Sequence, residues 1–162
     1  DFPFMKRYSQ SFIKKNPHLK GKDIETTRKA CEKFRHKPVS IMNFIEGTRF
    51  TPAKHSKQNS PYKHLLKPKA GGIGFVISTM GESLNKVLNV TIHYPHGTPS
   101  FLDFLLGKVT DVNIVVDTKD IDPALIGDYV NDRAYKINFQ QWVTNIWQEK
   151  DQLLEELEQQ YK

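Results

Sequence analysis

Cysteine is almost missing from this chain: Cys31 stands alone among 162 residues. A single thiol excludes an internal disulfide framework and a cysteine-rich metal site, and it fits a reducing compartment. Long apolar runs are missing as well. The longest, Ile73 to Ile77 and Leu102 to Leu106, fall far short of the ~20 residues that cross a bilayer, and the second carries Asp103. No signal-peptide pattern opens the chain, and no repeat or low-complexity stretch interrupts it. His55, His64, His93 and His96 lack the spacing of a metal cluster and read as loop or surface groups, so no metal is expected.

What is present is the composition of a folded domain, 38% apolar and 26% charged, with length enough for one real core. The chain opens at Asp1 rather than at methionine, so a segment upstream is expected. The net charge of +6 conceals an asymmetry. Residues 1–70 hold 17 Lys and Arg against 5 Asp and Glu, and residues 71–162 hold 7 against 13. A basic front half suits a polyanion, either nucleic acid or an anionic membrane face, or else simply solvated helix faces.

The patterning reads as α/β. Asp23 caps a helix whose Ile24, Thr27, Cys31 and Phe34 share one face, with Cys31 as packing, and Pro38 stops it. Val39 to Ile45 reads as a short buried strand. Thr51 to Pro68 reads as a long polar loop, and such loops are often functional. Gly71 opens a helix to Met80. Val87 to Tyr94 and Val109 to Val116 read as strands. Ser100 to Leu106 is a short apolar helix or turn whose large side chains suit either the core or a bilayer surface. Asp122-Pro123 has the form of a helix start. Residues 138–161 form the clearest helix, with Phe139, Trp142, Val143, Ile146, Trp147, Leu153, Leu154, Leu157 and Tyr161 along one stripe. The two tryptophans read as packing anchors. No domain boundary breaks the pattern, and strands alternating with helices predict a layered sheet with flanking helices.

The informative stretch is Phe44-Ile45-Glu46-Gly47-Thr48-Arg49. A strand delivers an acid, a glycine, a hydroxyl and an arginine to the edge of a basic loop. Ligands of open α/β sheets sit beyond the carboxyl ends of strands, and Gly47 lets one approach the backbone closely. Arg49 offers a planar fork for phosphate or carboxylate. Lys67 and Lys69 stand before Gly71-Gly72 at a helix start, a second plausible anion site. From the residues alone, this is either a site for a phosphorylated ligand or a turn with a surface Arg–Glu pair.

The stretch resembles the third signature block of the lysophospholipid acyltransferase family, which includes the 1-acylglycerol-3-phosphate acyltransferases. Within that family the chain is most similar to YihG-like probable acyltransferases of Gram-negative bacteria, over most of its length and including Trp142 to Asp151. Family members carry four ordered blocks. Arg7, after Phe2-Pro3-Phe4-Met5-Lys6, matches the arginine block. Glu46, Gly47, Thr48 and Arg49 match the acid–glycine–threonine–arginine block, with Ile45 where many members have proline. Pro95, after Val90-Thr91-Ile92-His93-Tyr94, matches the proline that closes an apolar strand. Lys69 and Gly71 fall where members often have lysine and glycine.

The first family block, a histidine and an aspartate with four residues between them, is the exception. His18 to Asp23 has that form but follows Arg7 instead of preceding it, and Asp23 already caps a helix. It is set aside as a chance match, and the catalytic pair is expected upstream of Asp1.

The resemblance implies an α/β acyltransferase domain with a mixed sheet, of which residues 1–162 are the carboxy-terminal part. It implies transfer of a fatty acyl group from acyl-CoA or acyl-carrier protein to a lysophospholipid such as 1-acylglycerol-3-phosphate. No other cofactor is implied. Arg7 and Arg49 would bind the acceptor phosphate, and Glu46 with Thr48 would position its glycerol. The setting implied is the cytoplasmic face of a bacterial inner membrane, reached through the part upstream. This chain alone would be inactive, and nucleic acid is not an expected partner. The rival readings are a basic nucleic-acid-binding module, which lacks interleaved aromatics or a known binding motif, and an inactive lipid- or partner-binding domain.

Overall fold

The structure, a computed structural model, describes Asn16 and residues 38–161. Arg7, the His18–Asp23 pair and the helix expected around Cys31 lie outside the described residues. The described part combines helices with a small two-stranded sheet, consistent with an α/β arrangement. In chain order come α1 (Pro52–Gln58), α2 (Gly71–Met80), β1 (Lys86–His93), α3 (Phe101–Leu105), β2 (Asn113–Asp120) and α4 (Arg133–Gln160), with 3-10 turns at Gly81–Ser83 and Pro123–Leu125.

Four expectations need correction. Val39 to Ile45 is not a strand: among the described residues no strand pairs with it, and Met42 and Phe44 are exposed. The polar stretch from Thr51 is not all loop. Thr51 accepts a hydrogen bond from the Lys54 amide and Pro52 takes the first helical position, so α1 forms without burying any residue. The later strand lies four residues beyond Val109–Val116, because pairing with β1 fixes its position. Lys86 faces Asp120 and His93 faces Asn113 in an antiparallel ladder. The mixed sheet expected from the resemblance is therefore antiparallel among the described residues.

The 28-residue α4 organises the rest. Asp132 caps it, accepting from the Tyr135 amide at 3.0 Å. It starts a turn and a half earlier than the stripe from Phe139 indicated, because Tyr135 is also buried. Phe139 and Val143 meet Ile77 of α2 together with Ala70, Leu125, Tyr129 and Tyr135 in the main core. Gly74 lets α2 approach closely, since a methyl group there would overlap the Tyr129 ring. Further along, Ile146 and Trp147 pack with Tyr62.

The same helix lies along one face of the β hairpin. Glu149 accepts from Lys119 at 3.0 Å, and Tyr161 donates to Asn113 at 3.0 Å. That covered face carries Val87, which packs on the main core, and then the more polar Asn89, Thr91 and His93, whereas Leu88, Val90 and Ile92 alternate outward beside Val116 and Ile114. The usual apolar-in, polar-out order of a half-buried sheet is thus inverted over residues 88–93 of β1. No helix among the described residues is long and apolar enough to cross a membrane.

Candidate functional site

The Glu-Gly-Thr-Arg stretch forms a tight turn. The Gly47 amide donates to the Phe44 carbonyl at 2.9 Å, and Gly47 takes a φ of 66°, a left-handed conformation that suits a residue without a side chain. The side chains on either side of it diverge. Glu46 turns inward, and its Oε1 accepts from the Leu66 amide at 3.0 Å. Arg49 stays exposed, and no hydrogen bond or ion pair holds its guanidinium among the described residues.

The inward seat of Glu46 is built by α4. Trp147 donates from Nε1 to the Leu66 carbonyl at 3.0 Å, so Leu66 is held on both sides, by an acid from the turn and an indole from the helix. Below it lies Lys150, a buried cation on the apolar stripe. Its Nζ donates to the Val90 carbonyl of β1 at 2.6 Å and stands 5.5 Å from the centroid of the Trp147 ring. Burial raises the Glu46 carboxyl above its ordinary range, against the opposing pulls of the Leu66 amide and the Lys150 charge. Burial lowers the Lys150 ammonium, and the Glu46 charge partly restores it. Each charge eases the burial of the other.

Next along the helix, the Asp151 carboxylate accepts from the backbone amides of Lys63 and His64, both at 2.8 Å. Glu155 takes hydrogen bonds from the side chains of Lys63 and His64. Those contacts hold Glu155 down to about 2, with Lys63 the larger influence and His64 the next.

The outward side of the turn is cationic. Lys54 of α1 donates from Nζ to Thr48 Oγ1 at 2.7 Å and to the Arg49 carbonyl at 3.1 Å. The Lys69 amide donates to the Ile45 carbonyl at 2.8 Å, which fixes Lys69 beside the same turn, two residues before Gly71 opens α2. Glu46, Gly47, Thr48, Arg49 and Lys69 are thus brought together. Pro95 lies just past the end of β1, and no hydrogen bond joins it to the turn. Arg7 lies outside the described residues.

Lys54, Trp147, Lys150 and Asp151 were not singled out as site residues from the sequence. The available signal was Lys150, a lysine that keeps step with Val143, Trp147 and Leu154 on the apolar stripe. A cation placed where the core expects a hydrophobe needs a buried partner.

Comparison with known proteins gives distant similarity to acyltransferases. The chain is 25% identical to an uncharacterized acyltransferase of Saccharomyces cerevisiae, over 93% of this chain and 42% of that protein. It is 26% identical to the 2-acyl-1-lysophosphatidylinositol acyltransferase of the same yeast, over 74% of this chain and 33% of the relative. It is 27% identical to the 1-acyl-sn-glycerol-3-phosphate acyltransferase gamma of Mus musculus, over 69% of this chain and 30% of the relative. The chain therefore spans less than half the length of each of these curated relatives. No protein-family model matches it, and no solved structure does. These distant relatives are all acyltransferases by name, two of them acting on a lysophospholipid or an acylglycerol phosphate.

Proposed function

We propose that this chain forms the acceptor-binding part of a glycerophospholipid O-acyltransferase of the YihG-like kind, working at the cytoplasmic face of a bacterial inner membrane. One observation carries the reading. The turn at Glu46 to Arg49 is fastened from beneath by α4, leaves Arg49 exposed, takes two hydrogen bonds from Lys54 and has the exposed Lys69 bound to it through the backbone. Cations gathered on a turn with an accessible glycine suit a phosphate monoester. The names of the distant relatives supply the class of substrate.

On this reading, Arg49 grips the acceptor phosphate. Lys54 adds charge and holds Thr48, whose hydroxyl hydrogen stays free to meet the glycerol. Glu46 orients the turn through Leu66 and leaves the phosphate to the cations. The acceptor hydroxyl attacks the thioester carbonyl of acyl-CoA or acyl-carrier protein. An ester C–O bond forms as the C–S bond breaks, the thiol departs, and the hydroxyl proton passes to a general base outside the described residues. Neither a metal nor another cofactor enters this chemistry.

The test is Arg49→Ala in the complete enzyme. Loss of one charge-assisted contact, worth about 1.5–3 kcal/mol, corresponds to a KM for lysophosphatidate raised by roughly 10- to 100-fold. The KM for the acyl donor stays nearly unchanged. Unaltered acceptor kinetics remove Arg49 from the phosphate site. Phosphatidate-dependent vesicle binding without any turnover replaces the enzyme reading with an inactive lipid-binding one.

A further inference from the structure

The connection from β1 to β2 leaves the sheet after His93 and returns at Asn113, carrying α3 at its tip. On α3 and the residue after it, Phe101 (77%), Leu102 (61%), Phe104 (67%), Leu105 (63%) and Leu106 (59%) are all largely exposed. At 3.6 residues per turn these five cover an arc of roughly 200°, about twice the stripe a helix gives to a protein core or groove. Asp103, the exception on this helix, is folded back. It accepts from the Ser100 amide at 3.0 Å, its own amide donates to Ser100 Oγ at 3.1 Å, and Lys108 lies 3.7 Å from it.

Part of the backbone is also satisfied from within. Phe104 donates to Ser100, Leu106 to Leu102, Gly107 to Phe104 and Lys108 to Asp103. His96 meets Asp111 at 3.2 Å across the base of the arch. Lys108, 64% exposed at the side chain, stands at the inner end of this apolar tip.

We propose that the arch from Ser100 to Lys108 is a wedge that inserts into the surface of an anionic lipid bilayer. Three features select lipid over protein. The apolar arc is too wide for a single groove. Several backbone groups and the one acid are paired internally, which lowers the cost of entering an apolar medium. The cation sits where the apolar tip gives way to water, the position that meets anionic headgroups. The outward apolar face of the hairpin differs, being flat and one-sided, as a covering layer of protein would require. The proposal rests on the lipid-acceptor reading above, because a wedge would hold the chain at the surface where lysophospholipids reside.

The experiment places Phe104→Trp in the full chain and adds vesicles of phosphatidylcholine and phosphatidylglycerol whose acyl chains carry bromine. Neither lysophospholipid nor thioester is present. The expected result is quenching beyond that of the unsubstituted chain, whose Trp142 and Trp147 give the background. The double variant Phe101→Ser/Phe104→Ser should bind the same vesicles at least about tenfold more weakly, since two buried rings are lost. No added quenching, or vesicle affinity unchanged in the double variant, overturns the wedge. So does a dimer in vesicle-free solution that the double variant abolishes, because the occupant is then a second copy. Quenching here, with no acyl transfer by the complete enzyme, sinks the acyltransferase reading and leaves the wedge standing. Transfer with an unquenched tryptophan does the reverse.

Discussion

Replacing Lys150 by methionine isolates the cation under the motif turn. Methionine keeps the stem that packs against Trp147 while removing the donor to the Val90 carbonyl. An acceptor left buried without a partner costs about 1–3 kcal/mol, and the lost cation–ring contact adds about 0.5–2. Relief from burying an ammonium group opposes both. Glu46 is half-exposed, so its share of the coupling is reduced by solvent. The net expectation is a loss of about 1–3 kcal/mol, which at about 2–4 °C per kcal/mol lowers Tm by roughly 2–12 °C.

The pH dependence gives that loss its signature. The folded state raises the Glu46 carboxyl, so its contribution to stability is full below the ordinary carboxylate range and fades as pH rises through the raised value. Without Lys150 the carboxyl rises further, so the penalty should be small near pH 4 and grow toward pH 7. The folded state lowers Lys150, whose own contribution is present above its ordinary value of 10.5 and fades as pH falls through the lowered one. Urea denaturation of wild type, K150M, E46Q and the double variant between pH 4 and 7 measures this. The double variant should be more stable than the sum of the single losses predicts, by about 0.5–1 kcal/mol. A Lys150→Met protein as stable as wild type, or equally weakened at every pH, refutes the account.

Two further outcomes follow from the packing around α4. The folded state depresses Glu155, so its stabilising effect holds above the ordinary value of 4.5 and is lost as pH falls through about 2. Glu155→Gln should therefore flatten the acid limb of stability over that window in a Tm-versus-pH series, and an unchanged limb contradicts the Lys63–His64–Glu155 cluster. Gly74→Ala puts a methyl group into the Tyr129 ring, so overpacking of about 1–3 kcal/mol should exceed the helix-propensity gain of about 0.5–1. Urea unfolding that finds the variant more stable would show that α2 is not seated on that ring.

The sequence was legible where a signal is local. Ser100 to Leu106 reads as the short apolar helix α3, Asp122-Pro123 reads as a helix start that is realised as one 3-10 turn, and the Phe139–Leu154 spacing announces α4. The basic turn could also be read as an anion site, because glycine, arginine and lysine carry their chemistry with them. What failed depends on distant partners. Val39–Ile45 has strand-like residues, yet a strand exists only beside another strand. In β2, polar Asp117 to Asp120 belongs to the ladder because Lys86 to Asn89 lie opposite, which an apolar run cannot reveal. Thr51-Pro52 carried the same cap-and-proline signal as Asp122-Pro123, but α1 buries nothing, so no apolar period supported it. The inward fate of Glu46 was hidden for a similar reason: its seat comes from Leu66 and Lys150, far away in sequence.

That separation sets an order of assembly. Trp147 reaches back 81 residues to Leu66, and Asp151 and Glu155 reach back 87 to 92 residues to the Lys63–His64 backbone and side chains. Closing such spans is slow relative to forming a local turn. During refolding, then, helix signal should precede any affinity of the Arg49 turn for phosphate. A chain whose last helix is still undocked would have the whole motif and no grip on its ligand.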